Sequence, residues 1–183
     1  MEIHDTQTLI AAIGAGLQPK YLFFWGHQPR ADGQIGKQCF SQWWDSAFEV
    51  DGITYLTAEH YMMAEKARLF GDQEICEQIL VASHPDAAKK LGRQVRNFDG
   101  HIWDDHRFDI VVRGNRAKFS QHAPLKTFLL NTQERILVEA SPYDRIWGIG
   151  LAEDDKAATQ PEQWQGLNLL GFALMKVRAM LRD

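Results

Sequence analysis

The sequence predicts a single domain, mostly α-helical with a few short strands. Three observations carry this expectation. A breaker-free run of strong helix formers lies between Thr57 and Gly71, further helical segments follow it, and no repeat, low-complexity tract or break in composition divides the chain. With 183 residues, 45% of them apolar and 11% aromatic, the chain has enough apolar surface to close a core without covalent staples.

The opening residues to about Ala15 read as a short helix. Tyr21 to Trp25 is an aromatic and apolar run ended by Gly26, of a length that suits a buried strand. From Gly26 to Gly36, glycine, proline and mixed charge predict a loop. The run Phe48 to Tyr55 places Asp51-Gly52 between two β-prone segments, the signature of a hairpin. Thr57 is a natural N-cap for a helix over Ala58 to Phe70. A second helix is expected from Asp72 to about Ala82, with Ile75, Ile79 and Leu80 on its apolar face. A third starts at Pro85, a residue favoured in a first turn, and reaches about Val95. Helices over Trp103 to Gln121 and Ala123 to Asn131 come next. Arg135 to Glu139 then favours a strand, and Pro142 to Gly150 a loop. The last helix, Leu167 to Leu181, is expected to align Leu167, Leu170, Leu174, Val177 and Leu181 on one buried stripe.

Composition excludes several classes of function. The 20 basic and 24 acidic residues give a formal net charge of −4, which argues against coating nucleic acid by counterion release. Arg107, Arg113, Arg116 and Lys118 alternate with Asp104, Asp105 and Asp109, and read as a solvated helix face. No apolar run approaches the roughly 20 residues of a membrane span, and nothing near Met1 resembles a secretion signal. Cys39 and Cys76 form neither a disulfide framework nor a paired zinc motif, so they read as reduced thiols in a cytoplasmic protein. The phosphate loop of nucleotide-binding proteins is absent. Gly148-Ile-Gly150-Leu-Ala-Glu153 lacks the third glycine of a dinucleotide fingerprint, and His101 and His106 are five apart, which turns them to different helix faces. No metal or cofactor is called for.

The helix from Glu59 to Phe70 holds the candidate chemistry. Residues seven apart on a helix differ by about 20° around the axis and about 10 Å along it, so Glu59 and Lys66 share a face. Met62, Met63 and Phe70 lie on that face too, and charges embedded in such a stripe need a partner or a task. Two readings stand. In one, Lys66 snorkels to solvent and Glu59 complements the helix N-terminus. In the other, both line a cleft, where the helix terminus keeps Glu59 ionised and apolar neighbours lower the pKa of Lys66, leaving a nucleophilic amine. Six tryptophans, mostly in or beside expected loops, offer flat faces for a base or sugar. The segment Asp144-Arg-Ile-Trp147-Gly148-Ile-Gly150 puts a carboxylate, an aromatic ring and two glycines in one loop.

An ordered string of motifs spans the chain from Phe24 to Leu181. It comprises Phe24-Trp-Gly-His27, Phe40-Ser-Gln-Trp43, Thr57-Ala-Glu-His-Tyr61 with Lys66-Ala67, Leu91-Gly-Arg93, Trp103, Ala117-Lys-Phe119, Asp144 with Trp147-Gly-Ile-Gly150, and Gly166-Leu-Asn-Leu-Leu-Gly171. In these the sequence closely resembles the NADAR (YbiA-like) family. The resemblance implies a mostly helical α+β fold and a cofactor-independent N-glycosidase, which cuts the bond between ribose C1 and the nitrogen of a base or amine. Two substrate classes are associated with the family: phosphoribosylamino-pyrimidine intermediates of riboflavin synthesis, and ADP-ribose on guanine in nucleic acid. The partner is thus a small nucleotide-like substrate or an ADP-ribosylated guanine.

Carried over by position, the resemblance puts Lys66 where an imine with the sugar C1 is proposed, with Glu59 its acidic companion and Asp144 a second catalytic carboxylate. It implies substrate-binding positions at Trp25, Gly26, Ser41, Trp43, Trp103, Trp147, Gly148, Gly150 and Asn168. Where some relatives have Ser-Asn-Phe, this chain has Ser41-Gln42-Trp43, so a longer amide and a broader aromatic platform bear on base preference. The reading of a different class is a non-catalytic ADP-ribose binding module, in which Lys66 contacts phosphate and the tryptophans stack adenine.

Overall fold

The computed structural model describes residues 3–182. Among the described residues, seven α-helices and four short strands divide between two compact units, one made of the residues up to Ser41 and those from Pro124 onward, the other running from Gln42 to Ala123.

In the first unit, α1 (Thr6–Gly14) starts at a reciprocal cap in which the Asp5 carboxylate accepts from Thr8 N and the Thr8 hydroxyl oxygen accepts from Asp5 N. Strand β1 (Tyr21–Phe24) pairs in parallel with β4 (Ile136–Glu139), Tyr21 opposite Ile136 and Phe24 opposite Glu139. A parallel pair needs a long crossover, and here nearly two thirds of the chain lies between the strands. Helix α6 (Ala123–Leu130) leads toward β4, and α7 (Leu169–Met180) packs on it. Phe24, Phe40, Leu129, Leu137, Ile149, Leu170 and Phe172 are fully enclosed and form the core of this unit. Burying side chains of this size contributes roughly 1.5–3 kcal/mol each.

The second unit opens with the antiparallel hairpin of β2 (Phe48–Val50) and β3 (Ile53–Tyr55). Asp51 and Gly52 both take positive φ, as a tight two-residue turn requires. Helix α2 (Ala58–Leu69) follows, with the Thr57 hydroxyl accepting from His60 N at its start. Around it pack α3 (Gln73–Val81), α4 (Pro85–Gly92) and α5 (Gly100–Gln121). Helix α2 is therefore enclosed on nearly every side over residues Ala58 to Ala64, polar Glu59 and His60 included. Two glycines permit this close packing. A methyl at Gly114 would stand 2.5 Å from the Tyr61 ring, and one at Gly92 would overlap the Met63 sulfur. His60 is satisfied inside the unit, Nε2 lying 2.8 Å from the Ala82 carbonyl and Nδ1 2.8 Å from the Thr57 hydroxyl.

Several expected boundaries move for local reasons. Helix α4 stops at Gly92 rather than near Val95. Helix α5 begins at Gly100, three residues before Trp103, because the Asp99 carboxylate caps it by accepting from His101 N and Ile102 N. The last helix begins at Leu169. Leu167 precedes it at 49% exposure, so it does not belong to the buried stripe that Leu170, Leu174 and Val177 form. The expectation of a solvated basic face on α5 also needs correction at two residues: Lys118 is fully buried, on the same side as Val111, Gly114 and Asn115, and the Arg107 side chain is only 12% exposed beside Asp104, while Arg113 and Arg116 face out. Among the described residues, no helix is long and apolar enough to cross a membrane.

Candidate active site

Helix α2 carries Glu59 in its first turn and Lys66 two turns later. Glu59 is 4% exposed, Lys66 half-buried. The Lys66 side chain is held by its surroundings rather than extended into water. Its Nζ donates to the Gly92 carbonyl at 2.8 Å, stands 4.4 Å from the centroid of the Phe98 ring, and lies 5.7 Å from that of Trp103. Burial pushes the Lys66 amine below the ordinary lysine range, Glu59 opposes that shift by its negative charge, and Arg93 adds to it. Such a lysine yields its proton more readily than a solvated one, the first requirement of an amine nucleophile.

The buried end of α2 is braced by polar groups. Glu59 N donates to the Gln42 carbonyl at 2.9 Å, and the Gln42 and Asn115 side-chain amides exchange two hydrogen bonds of 3.1 Å. The longer amide at position 42 is thus spent on α5 inside the unit. Trp43 is half-buried beside it, 5.8 Å from Lys89 Nζ. Trp103 is 9% exposed and projects from the first turn of α5 toward Lys66. A groove of about 350 Å³ also lies between α2 and α5, lined by Glu65, Arg68, Asp109 and Arg113 among others, and it includes neither Glu59 nor Lys66.

The segment between α4 and α5 completes this environment. Arg96 anchors it: its guanidinium donates to the buried Asp72 carboxylate at 2.6 and 3.0 Å, and its backbone N–H donates at 2.8 Å. These bonds hold the Asp72 carboxyl far below the usual carboxylate range, and Asp72 also caps α3 through Ile75 N. Two residues on, Phe98 meets Phe70 edge to face at 5.2 Å and covers Lys66. Neither Phe98 nor the Gly92 carbonyl stood out as a site feature in the sequence. The available signals were Leu91-Gly-Arg93, a motif with no assigned role, and an aromatic five positions before Trp103.

In the first unit, the expected substrate-binding residues lie just after β1, at the end of a short 3-10 turn, in the loop after β4 and at the start of α7. Trp25 is 54% exposed, with its ring 5.9 Å from that of Tyr143, and Gly26 takes φ 86°. Ser41 is half-buried at the end of a short 3-10 turn. The loop after β4 is tied down locally. Ser141 Oγ accepts from Tyr143 N and Asp144 N, and Asp144 Oδ1 accepts from Ile146 N at 2.8 Å and Trp147 N at 2.7 Å. Trp147 is half-buried, whereas Gly148 and Gly150 are enclosed, and a methyl at Gly148 would come within 2.8 Å of the Glu139 carbonyl. Asn168 is fully buried with φ 54°, its Oδ1 accepting from Glu139 N and its Nδ2 donating to the Leu137 carbonyl. Its amide thereby continues the hydrogen bonding of β4. The structure brings Glu59, Lys66 and Trp103 onto one helical unit and gathers Asp144, Trp147, Gly148, Gly150 and Asn168 around the end of β4 in the other.

Known proteins match the chain along nearly all its length. The NADAR domain model matches residues 23–182. N-glycosidase R617 of Acanthamoeba polyphaga mimivirus is 47% identical over 164 residues, which cover 87% of this chain and 95% of R617. N-glycosidase YbiA of Escherichia coli is 34% identical over 142 residues, 78% of each chain. The NMR structure of E. coli YbiA matches with a TM-score of 0.70 at 30% identity, covering 91% of this chain and 87% of that one. The chloroplastic riboflavin biosynthesis protein PYRR of Zea mays is 32% identical over 70% of this chain, a stretch that makes up 20% of PYRR. The α+β, mostly helical architecture agrees with that of YbiA. By its sequence and its fold, this chain belongs to the NADAR domain family.

Proposed function

We propose that the chain hydrolyses the bond between ribose C1 and the nitrogen of a base or amine, with Lys66 as covalent catalyst. The coarser part of this reading, an enzyme acting on N-glycosyl bonds, is what R617 and YbiA are named for at 47% and 34% identity. The finer part is carried by one observation: a half-buried lysine with a lowered pKa, two helical turns from a buried glutamate.

The chemistry uses Lys66 twice. As the neutral amine, Nζ donates its lone pair to C1, the C1–N bond breaks, and the departing nitrogen takes up a proton. Opening of the sugar ring then gives an imine between Nζ and C1; water adds to it and releases the sugar with the amine restored. Glu59, whose negative charge acts on Lys66, is proposed to steady the positive charge that develops at C1, and Asp144 is proposed as the second carboxylate of the reaction. Trp25, Gly26, Ser41, Trp43, Trp103, Trp147, Gly148, Gly150 and Asn168 are proposed as the substrate-binding set. For the last, the buried amide supports a role in shaping the loop beside it.

Two substrate classes suit this reaction: a phosphoribosylamino-pyrimidine, supported by the likeness to PYRR, and an ADP-ribosylated guanine. Supplying both to the purified protein side by side, with release of the free base or amine as readout, separates them. Preference for the pyrimidine intermediate would place the protein with riboflavin precursors. Tight binding of ADP-ribose with no release from either substrate would instead favour the binding module, and would refute the enzyme. Lys66→Arg keeps the charge but cannot supply a neutral amine, so it should lower turnover on the order of 10³-fold or more.

A further inference from the structure

Lys66 faces a physical conflict. Its partial burial favours the neutral amine, yet two of its neighbours prefer the ammonium. The Gly92 carbonyl accepts a hydrogen bond from Nζ at 2.8 Å, and the face of Phe98 lies 4.4 Å from it. Both neighbours are held in place by the packing of the unit. Gly92 lies so close to Met63 that a side chain at this position would overlap the sulfur, which brings the end of α4 within reach of α2. Phe98 is half-exposed, but its loop is pinned two residues earlier by Arg96 on Asp72, and its ring is braced edge to face by Phe70.

We propose that Phe98 is a positioning residue for Lys66, its ring face and the Gly92 carbonyl forming a cradle that holds Nζ as the ammonium until substrate displaces it. The inference rests on the reading of Lys66 as the reacting amine. In the cradle the lysine is parked, charged and unreactive. A substrate ring entering over α2 takes the place of Phe98 or pushes it aside, removes the π-face stabilising the cation, and so favours loss of the proton where the amine is needed. The ionised groups acting on Nζ are Glu59 from α2 and Arg93 from the end of α4. From α5 it meets the Trp103 ring, and the charges at the start of α3, Asp72 and Glu74, are engaged by Arg96.

The test is competitive acetylation of the full-length protein across a pH series, with the Lys66 peptide quantified by mass spectrometry. This readout needs no substrate. In Phe98→Leu, which keeps apolar bulk and removes the ring, the midpoint of Lys66 labelling should move to lower pH, with roughly a two- to tenfold gain in labelling near neutral pH. Phe98→Tyr should restore the wild-type midpoint, and Phe98→Trp, with the stronger face, should move it upward. A midpoint unmoved or raised in Phe98→Leu, or unmoved or lowered in Phe98→Trp, would overturn the cradle. An active Lys66→Ala variant, by contrast, would remove the catalytic reading and leave the labelling result intact, so the two failures are distinguishable.

Discussion

Lys66 and Glu59 set opposite demands on one proton. Burial lowers the lysine pKa, and the carboxylate charge raises it again, so removing that charge should free the amine further. In Glu59→Gln the midpoint of Lys66 modification should therefore fall to lower pH, while turnover also falls because the carboxylate proposed to steady the charge at C1 is gone. A pH series of labelling beside a pH–rate profile checks both parts. An upward move of the midpoint would mean that Glu59 does not act on Lys66 as a negative charge. The pair's shared helix face was legible in the sequence, since a spacing of seven is enough to specify it. Phe98 was not, because the loop that carries it to Lys66 is pinned by the Arg96–Asp72 bond, which joins residues 24 positions apart. Lys118 was misread for a related reason. Its charged neighbours in sequence pointed outward, and only the packing around α5 shows that it points in.

At the scale of the elements, glycines rather than large side chains decide how closely the helices approach. A methyl at Gly171 would stand 2.1 Å from the Leu137 carbonyl, an obstacle of backbone that cannot swing aside. Gly171→Ala should destabilise by about 3 kcal/mol or more, and Gly114→Ala, which meets the Tyr61 ring, by about 1–3 kcal/mol. Urea unfolding followed by circular dichroism reads both, and an unshifted midpoint for Gly171→Ala would contradict the contact between α7 and β4. The Asp72–Arg96 bond ties α3 to the loop before α5, and its pH dependence has a definite sign. The Asp72 carboxyl is depressed when folded, so its contribution is present above the unfolded value near 3.9 and is lost as pH falls below that. Asp72→Asn should therefore be less stable at neutral pH and show a weaker loss of stability on acidification than the wild type. Equal acid sensitivity of the two proteins would count against the bond. Helix caps of this kind are local, so the Thr57 start of α2 could be read from sequence. The start of α7 could not, because Asn168 is held at positive φ by bonds to β4, about thirty residues earlier.

Across the whole molecule, the two units differ in how far their contacts reach along the chain. The second is continuous from Gln42 to Ala123, and its helices pack on near neighbours in sequence; the first joins β1 to β4 across that entire stretch. Local contacts close at a lower entropic cost than distant ones. In a pulsed hydrogen-exchange refolding experiment, amides of α2 and α5 should become protected before those of β1 and β4; the reverse order would contradict this account. The same division explains what the sequence conveyed at this scale. Helix-rich composition and turn signals are local and predicted the elements well, whereas the parallel pairing of β1 with β4 leaves no mark in either strand. The motif string carried the family assignment, and matches over 87% and 78% of the chain agree with it. The central claim is that Lys66 forms a covalent bond with the sugar, and borohydride added during turnover tests it most directly. The account predicts a reduced sugar adduct mapped to the Lys66 peptide and absent from Lys66→Ala; turnover with no adduct at Lys66, or full activity in Lys66→Ala, would contradict it.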